Sequence, residues 1–135
     1  MQVQEIMSTD VAVVGRNDDL SQVENLMLTK KLRHIPVLEN GALVALVSRR
    51  DLFKAMMSST MGYGDKARKA YLHSVRVKEV MTYPVVTVAP ETSVGEAADL
   101  MVHKGIGCLP VVEGTRLVGI VTKTDLLRCL YALSS

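Results

Sequence analysis

The sequence predicts an α+β protein in which one β-α-β-β-α unit is repeated. Its 135 residues suit one compact domain, or two half-domains that share a core. Residues 3–52 align without a gap with residues 77–126, each residue pairing with the one 74 positions later. Within both copies, β-branched apolar runs alternate with stretches of helical periodicity. This internal repeat is the observation on which the predicted architecture depends.

Identical residues recur along the two copies. Most of them are apolar, and a common core explains their recurrence. A proline pair and an aspartate pair are not explained by burial alone, so they are the first candidates for function. The identical pairs include Val3/Val77, Glu5/Glu79, Met7/Met81, Val11/Val85, Leu26/Leu100, Met27/Met101, Lys30/Lys104, Pro36/Pro110, Val37/Val111, Leu43/Leu117, Val47/Val121, Asp51/Asp125 and Leu52/Leu126.

Each copy starts with a strand and a helix. The β-branched runs Val11–Val14 and Val85–Val88 are typical of strands. Polar helix starts follow at Asn17–Asp19 and Glu91–Ser93, and Ser93 with a glutamate three residues later predicts a capping box. One apolar stripe at helical spacing then predicts a helix with one buried face. The stripes are Leu20, Val23, Leu26 and Met27 in the first copy, and Val94, Ala97, Ala98 and Met101 in the second.

Each copy ends with a hairpin and a closing helix. The predicted hairpins are Ile35–Leu38 with Ala42–Val47, and Leu109–Val112 with Leu117–Val121. Because Pro36 and Pro110 lack an N–H group, we expect them at a strand start or on a sheet edge. The closing helices begin near Arg49 and near Lys123. Asp51 and Asp125 fall in their first turns, where a carboxylate suits the positive end of the helix dipole.

The chain therefore divides into a first repeat at residues 1–57, a connector at residues 58–76 and a second repeat at residues 77–135. In the connector, Ser58–Gly64 predicts a loop, and Asp65–Leu72 predicts a short basic helix capped by Asp65. A charge run is usually a solvated face, which favours a simple connector. The alternative is a helix that docks a protein partner.

Composition excludes several function classes. Sixteen basic and 14 acidic residues give a net charge of +2, and a hydrophobic fraction of 48% is enough for a folded core. Aromatic residues make up only 4%, so stacking platforms for nucleic acid are nearly absent and we expect no nucleic-acid partner. No apolar run reaches the roughly 18 residues of a membrane span, and no signal-peptide pattern is present. We expect a cytoplasmic protein without a membrane partner.

The chemistry-bearing residues favour neither a metal centre nor catalysis. His34 and His103 lack a second ligand three or four residues away. Cys108 and Cys129 lie 21 residues apart without CxxC spacing, and we expect both to be reduced packing residues. The sequence has no nucleophile elbow, no P-loop and no helical HExxH. We therefore expect no catalytic residue, no metal and no cofactor.

The combined pattern resembles the CBS (cystathionine-beta-synthase) domain family, in the form of a stand-alone tandem pair. The resemblance covers nearly the whole chain and implies two repeats packed with pseudo-twofold symmetry. It also implies a regulatory ligand, AMP, ADP, ATP or S-adenosylmethionine, bound in clefts between the copies. The matching motifs are Glu-Ile-Met at residues 5–7 and Glu-Val-Met at 79–81, His34–Val37 and Cys108–Val111, and Ser48–Asp51 and Thr122–Asp125.

The resemblance also implies roles for individual residues. Asp51 and Asp125 are expected to accept both hydroxyls of a ribose, and Ser48 and Thr122 to meet a phosphate at a helix start. The expected cations are Arg49, Arg50 and Lys123, with His34 either approaching a phosphate or packing at a strand edge. The adenine is expected between Val11 or Val85 and the residues at the prolines, Ile35 with Pro36 or Leu109 with Pro110.

A plainer interpretation stays open at each of these positions. Ser48 and Thr122 are also good helix N-caps, the two aspartates good dipole partners, and the arginines an ordinary solvated face. The function we expect is a regulatory sensor of adenine nucleotides that signals to an unidentified protein partner. The alternative is a ligand-free interaction scaffold.

Two further expectations concern assembly and site preference. The apolar closing helices predict a homodimer. Ala45 stands in the first copy where Gly119 stands in the second, and a strand glycine often marks the close approach of a ligand or another backbone. If only one site is occupied, we therefore expect it at Thr122 and Asp125.

Overall fold

The computed structural model describes residues 1–57 and 64–134. It confirms an α+β fold with two repeats, which is β-α-β-β-α in the first and α-β-β-α, preceded by a single bridge residue at Val88, in the second. No helix among the described residues is long and apolar enough to cross a bilayer. The helices are α1 (Leu20–Thr29), α2 (Arg49–Met57), α3 (Asp65–Ser74), α4 (Val94–Lys104) and α5 (Lys123–Ser134). The strands are β1 (Val14–Gly15), β2 (His34–Glu39), β3 (Ala42–Ser48), β4 (Cys108–Glu113) and β5 (Arg116–Thr122), and 3-10 helices span Val3–Glu5 and Val77–Glu79.

The compact units of the structure do not coincide with the sequence repeats. Each unit contains the opening segment of the other repeat, which we call its exchanged segment. The first unit comprises Ala12–Val85, and the second unit combines Met1–Val11 with Val86–Ser135. The opening 3-10 helix of each repeat therefore belongs to the unit that holds the other repeat's strands. Its leading valine, Val77 in the first unit and Val3 in the second, is fully buried in that unit's hydrophobic cluster.

Matched backbone bonds fix these exchanged segments. The Val77 N–H donates to the Asp18 carbonyl at 2.8 Å, and the Val3 N–H donates to the Thr92 carbonyl at 2.8 Å. Burying a valine stabilises a fold by roughly 1.5–3 kcal/mol. The exchanged segments are therefore integral parts of their units rather than tails.

The first unit contains a three-stranded arrangement in which β2 pairs in parallel with β1 and antiparallel with β3. The turn between β2 and β3 uses positive φ angles at Asn40 and Gly41, 52° and 82°, as a two-residue hairpin requires. In the second unit, β4 and β5 form the equivalent antiparallel hairpin. In the second turn only Gly114 has a positive φ, 64°, so two different turns close hairpins of matched register.

The first strand of each repeat is shorter than predicted. Only Val14–Gly15 forms a strand in place of Val11–Val14, and from Val85–Val88 only Val88 pairs, with Val111. The chain passes from one unit to the other after Val11 and after Val85. Only the end of each β-branched run therefore reaches the strands of its own repeat.

Both prolines lie third in their strands rather than at the strand start. The predicted alternative, an edge strand, holds for Pro110, because β4 is the last strand in the order, but not for Pro36, because β2 lies between β1 and β3. Leu46, which faces Pro36, directs its N–H and C=O to Thr82, at 3.0 and 2.7 Å. Ile120, which faces Pro110, bonds in the same way to Ser8 at 2.9 Å in both directions. In an antiparallel ladder these are non-hydrogen-bonded pairs, so a residue without an N–H loses no ladder bond.

Helix α3 is packed into the first unit. Leu72 is 1% exposed and belongs to that unit's hydrophobic cluster, and the Tyr71 hydroxyl donates to the Ala55 carbonyl at 2.7 Å. Its N-cap is Gly64 rather than Asp65, which is the first helical residue and caps nothing. The rest of the predicted loop, residues 58–63, lies outside the described residues. The helix is therefore part of a core, which the prediction of a simple connector did not include.

Candidate functional site

In the first unit, the Asp51 carboxylate is held at the start of α2. The Ser48 N–H donates to Asp51 Oδ2 at 2.8 Å, and the Asp51 N–H donates to Ser48 Oγ at 3.0 Å. The Thr82 hydroxyl reaches the same carboxylate, with Oγ1 3.1 Å from Oδ1 and 3.2 Å from Oδ2. Asp51 therefore has a donor in reach of both oxygens before any ligand binds.

In the second unit, the Asp125 carboxylate is held at the start of α5. The Thr122 N–H and hydroxyl donate to Asp125 Oδ2 at 2.8 and 3.1 Å. Ser8 stands where the first unit has Thr82, and it bonds to Ile120 through its backbone. Within the described part of the chain, Asp125 Oδ1 has no hydrogen-bond partner. One carboxylate oxygen is therefore open to a donor from a ligand.

The predicted cations lie beside these carboxylates and are exposed. The Arg49 guanidinium donates to the Leu32 carbonyl at 3.5 Å, and the Lys123 alkyl chain lies against Gly107. Among the described residues, no carboxylate lies within ion-pair distance of Arg49, Arg50 or Lys123. Their charges are not neutralised by the described residues and can meet an anionic ligand.

Two residues at matched positions of the repeats, a histidine and a cysteine, lie opposite the helix starts across the hairpins. His34 pairs with Ser48, and Cys108 pairs with Thr122. Burial is the main cause of a lowered pKa at His34, and the nearby Arg33 lowers it further. The Asp51 carboxylate acts in the opposite direction. Burial raises the pKa of Cys108 to about 12, with Asp125 adding to the effect. Near pH 7, His34 is neutral, so it is a weaker phosphate partner than its type suggests, and Cys108 is a thiol.

The apolar residues predicted to hold an adenine divide into two groups. Ile35 and Leu109 are 0% exposed and belong to the hydrophobic clusters of their units, and the neighbouring Pro36 and Pro110 are also buried. These four side chains therefore pack in the interiors of their units, and their role in holding an adenine stays a prediction. Val85 and Val11 are half-buried, the first in the unit of Asp51 and the second in the unit of Asp125.

Packing within its own unit, rather than a ligand, explains why residue 119 is a glycine. A Cβ at this position would lie 2.5 Å from Met7 Sδ and 3.0 Å from the Ser8 carbonyl oxygen. In the first unit, Ala45 is fully buried and Met81 packs against the same cluster. The glycine accommodates the exchanged segment of its own unit, so the difference between Ala45 and Gly119 does not rank the two sites.

An open cavity of about 220 Å³ lies beside Asp51. Typical small-molecule pockets occupy roughly 300–1,000 Å³, so this cavity is too small for a whole nucleotide. Glu79 contributes a second carboxylate to its wall, which disfavours a phosphate there. The lining residues are Asp51, Lys54, Ala55, Glu79 and Val80.

Comparison with known proteins resolves the family. A model of the CBS domain matches residues 3–58 and again residues 77–132. The chain belongs to the CBS-domain family. A CBS domain-containing protein of Bacillus subtilis, YhcV, is 32% identical over 124 residues, which cover 92% of this chain and 81% of YhcV. Other relatives are longer, since the chain spans 46% of the Methanocaldococcus jannaschii protein MJ1225 at 29% identity.

Solved structures of CBS proteins have the same fold. The structure of AcuB from Vibrio cholerae superposes with a TM-score of 0.84 at 32% identity, covering 99% of this chain and 93% of AcuB. The structure of CBSX2 in complex with AMP gives 0.82 at 24% identity, covering 99% and 98% of the chains. The CBS pair of MJ0100, bound to methylthioadenosine and S-adenosylmethionine, also gives 0.82 at 24%, covering 100% and 98%. At these identities, the two ligand complexes show a shared fold.

One residue of this CBS pair near the predicted sites was missed from sequence. Thr82 contacts Asp51 because its segment pairs, through Leu46, with the side of β3 that faces away from β2. Thr82 is the counterpart of Ser8 in the sequence repeat, so a hydroxyl at both positions was the signal that the sequence offered. In the part of the chain that the structure describes, no three His, Cys, Asp or Glu side chains cluster closely enough to hold a metal ion.

Proposed function

We propose that this CBS pair is a regulatory module that binds adenosine-containing nucleotides through the ribose. The observation that carries the proposal is the Asp125 carboxylate, fixed by Thr122 through Oδ2 and open at Oδ1. An ionised carboxylate accepts hydrogen bonds only, and the vicinal hydroxyls of a ribose are two adjacent donors. Asp51, with Ser48 in place of Thr122, is the equivalent acceptor in the first unit.

Charge and helix geometry support binding of the ligand's phosphate at the starts of α2 and α5. Asp51 and Asp125 lie in the first turns of α2 and α5, where unpaired N–H groups and the helix dipole favour an anion. Arg49 with Arg50 in the first unit, and Lys123 in the second, add positive charge at the same helix ends. A base would lie against the half-buried Val85 or Val11, because Ile35 and Leu109 are enclosed in the cores.

Relatives support the class of ligand without identifying it. AMP in the CBSX2 complex, and methylthioadenosine and S-adenosylmethionine in the MJ0100 complex, are different molecules that share an adenosine. The ribose is common to all three, and phosphate is present only in AMP. Recognition centred on a carboxylate and a ribose fits this whole set, which is why we propose adenosine rather than phosphate as the determinant.

A thermal-shift panel of AMP, ADP, ATP, NAD and S-adenosylmethionine tests the proposal. A ligand present at 100 times its Kd stabilises the folded protein by about 2.7 kcal/mol, which gives a clear rise in Tm. We expect at least one of the five to do so in the wild type and to lose its effect in the Asp51→Ala/Asp125→Ala double variant. No stabilisation by any of the five would favour the rival function, a ligand-free scaffold.

We further propose that the chain signals as a homodimer whose contact includes α2 and α5. No residue of α5 is buried; Leu126 packs partly against the core of its unit, and most of the other apolar side chains of the helix are exposed. Exposed apolar patches of this kind usually mark a contact surface. The exposed residues are Phe53 and Met57 in α2, and Leu127, Leu130, Tyr131 and Leu133 in α5.

Sedimentation at micromolar concentration tests this assembly. We expect a mass of two chains for the wild type and of one chain for Leu130→Glu, with Leu28→Glu on α1 as the exposed control. A wild-type mass of one chain would contradict the homodimer. The bound state would then pass to a protein partner directly, through the surface of the monomer.

A further inference from the structure

The carboxylates of Asp51 and Asp125 differ in their contacts with the exchanged segments. Thr82 Oγ1 lies 3.1 Å from Asp51 Oδ1 and 3.2 Å from Oδ2, so the hydroxyl sits symmetrically between the two oxygens. Reaching both oxygens at once is also what a pair of ribose hydroxyls must do. The Thr82 hydroxyl therefore already takes up acceptor capacity of the Asp51 carboxylate that a ribose would use.

The second unit has the same backbone without this contact. Ser8 pairs with Ile120 as Thr82 pairs with Leu46, and both pairs are joined by two backbone bonds. Among the described residues, however, the Ser8 hydroxyl does not reach the Asp125 carboxylate. Threonine is β-branched and stiff at χ1, whereas serine rotates freely, so a threonine holds its hydroxyl in one place more firmly.

We propose that Thr82 is a built-in competitor for the ribose at Asp51, and that it makes Asp125 the first site to fill. The proposal rests on the proposed function, because it takes ribose binding by these carboxylates as given. A hydrogen bond to a charged group corresponds to about 10- to 150-fold in affinity. A ligand at Asp51 must displace the Thr82 bond, so its affinity is lower than at Asp125 by a factor of this order.

This competition gives one chain two sites that fill at different nucleotide concentrations. At low nucleotide concentration only the Asp125 site is occupied, and at high concentration the Asp51 site fills as Thr82 is displaced. Displacement also frees the Thr82 side chain in the segment that pairs with Leu46 of β3. Occupancy of the second site is thereby linked to a segment that belongs to the other sequence repeat.

Calorimetric titration with AMP tests the proposal in the full chain. We expect the wild type to bind one AMP tightly and a second at least about tenfold more weakly. Thr82→Val keeps the branched shape, removes the hydroxyl, and is expected to bring the second Kd close to the first. Ser8→Ala is the matched control and is expected to leave both values unchanged. Asp51→Ala in the Thr82→Val background should return the protein to one site.

The outcomes separate this proposal from the proposed function. Absence of AMP binding in every variant would overturn the competition, and ribose binding falls with it only if no ligand of the thermal-shift panel stabilises the protein. Two sites of equal affinity in the wild type, or a Thr82→Val variant with an unchanged second Kd, would overturn the competition alone. Thr82→Ala serves as a second hydroxyl deletion, and a urea melt of each variant shows that it folds.

Discussion

The Cβ that Gly119 lacks would lie 2.5 Å from the Sδ atom of Met7. These two residues are 112 positions apart in the chain, yet both belong to the second unit. The same hypothetical atom would lie 3.0 Å from the Ser8 carbonyl oxygen. The contact shows how closely the amino-terminal segment is applied to β5.

Gly119→Ala is expected to lower the free energy of unfolding by about 1–3 kcal/mol, the usual range for overpacking a core. Urea denaturation measures the change. Because the obstructing side chain is flexible, Met7→Ala in the same protein should recover part of the loss. A double-mutant cycle in which the two substitutions are simply additive would contradict the contact.

Leu72→Ala is expected to destabilise the protein by about 2–5 kcal/mol, because Leu72 is 1% exposed and its truncation leaves a cavity. Leu28→Ala removes the same atoms from a side chain that is 69% exposed, and its effect should stay within about 0.5 kcal/mol. Urea midpoints compare the two. Equal midpoints would mean that α3 is a solvated connector after all.

Stability is expected to fall with decreasing pH because of His34. Its pKa is lowered in the folded protein from an ordinary value of 6.5, by burial first, with Asp51 opposing and Arg33 assisting. Between that value and the lower folded pKa, the unfolded chain binds more protons, so acidification favours unfolding. The contribution is fully present above pH 6.5 and is lost as pH falls through the folded pKa.

Measuring the free energy of unfolding from pH 7.5 to pH 5 in the wild type and in His34→Gln isolates this contribution. The variant should show a shallower decline over that range. His73 and His103 are present in both proteins, so their effects cancel in the comparison. Identical slopes would mean that His34 is not desolvated.

Cys108 is expected to resist thiol reagents in the folded protein. Burial, with a smaller effect of Asp125, raises its pKa to about 12, and the thiolate is the reactive form. At pH 8, a Cys129→Ser variant should therefore show no reacting thiol until urea is added, and one thereafter. Rapid reaction of the native variant would place Cys108 at the surface.

Local elements were predictable because their signals are local. The apolar stripes and the Ser93 cap gave α1 and α4. Ser93 accepts the Glu96 N–H at 3.0 Å, which is one half of the predicted capping box, and among the described residues the Glu96 side chain does not return the bond. The places of Asp51 and Asp125 in the first turns of α2 and α5 followed from the same spacing. Turn residues between two β-branched runs gave both hairpins.

The exchange of segments was not predictable from the repeat. Val3 and Val77 occupy matched positions, so an offset of 74 residues is equally consistent with each packing on its own repeat or on the other. The shortened first strands, the role of Gly119 and the contact of Thr82 with Asp51 all follow from that exchange. Non-local packing decides these features, and a single sequence shows only that the two copies are alike.

The most direct test of the central claim is the ratio of the Kd values for 2′-deoxy-AMP and AMP, measured by calorimetry. If the Asp125 carboxylate binds the ribose hydroxyls, the wild type should bind AMP at least about tenfold more tightly, because one charged hydrogen bond is lost with the 2′-hydroxyl. Asp125→Ala should bind AMP only at the weaker Asp51 site, and the Asp51→Ala/Asp125→Ala double variant should lose the preference. Equal affinity of the wild type for both nucleotides, or undiminished AMP affinity in Asp125→Ala, would contradict the account.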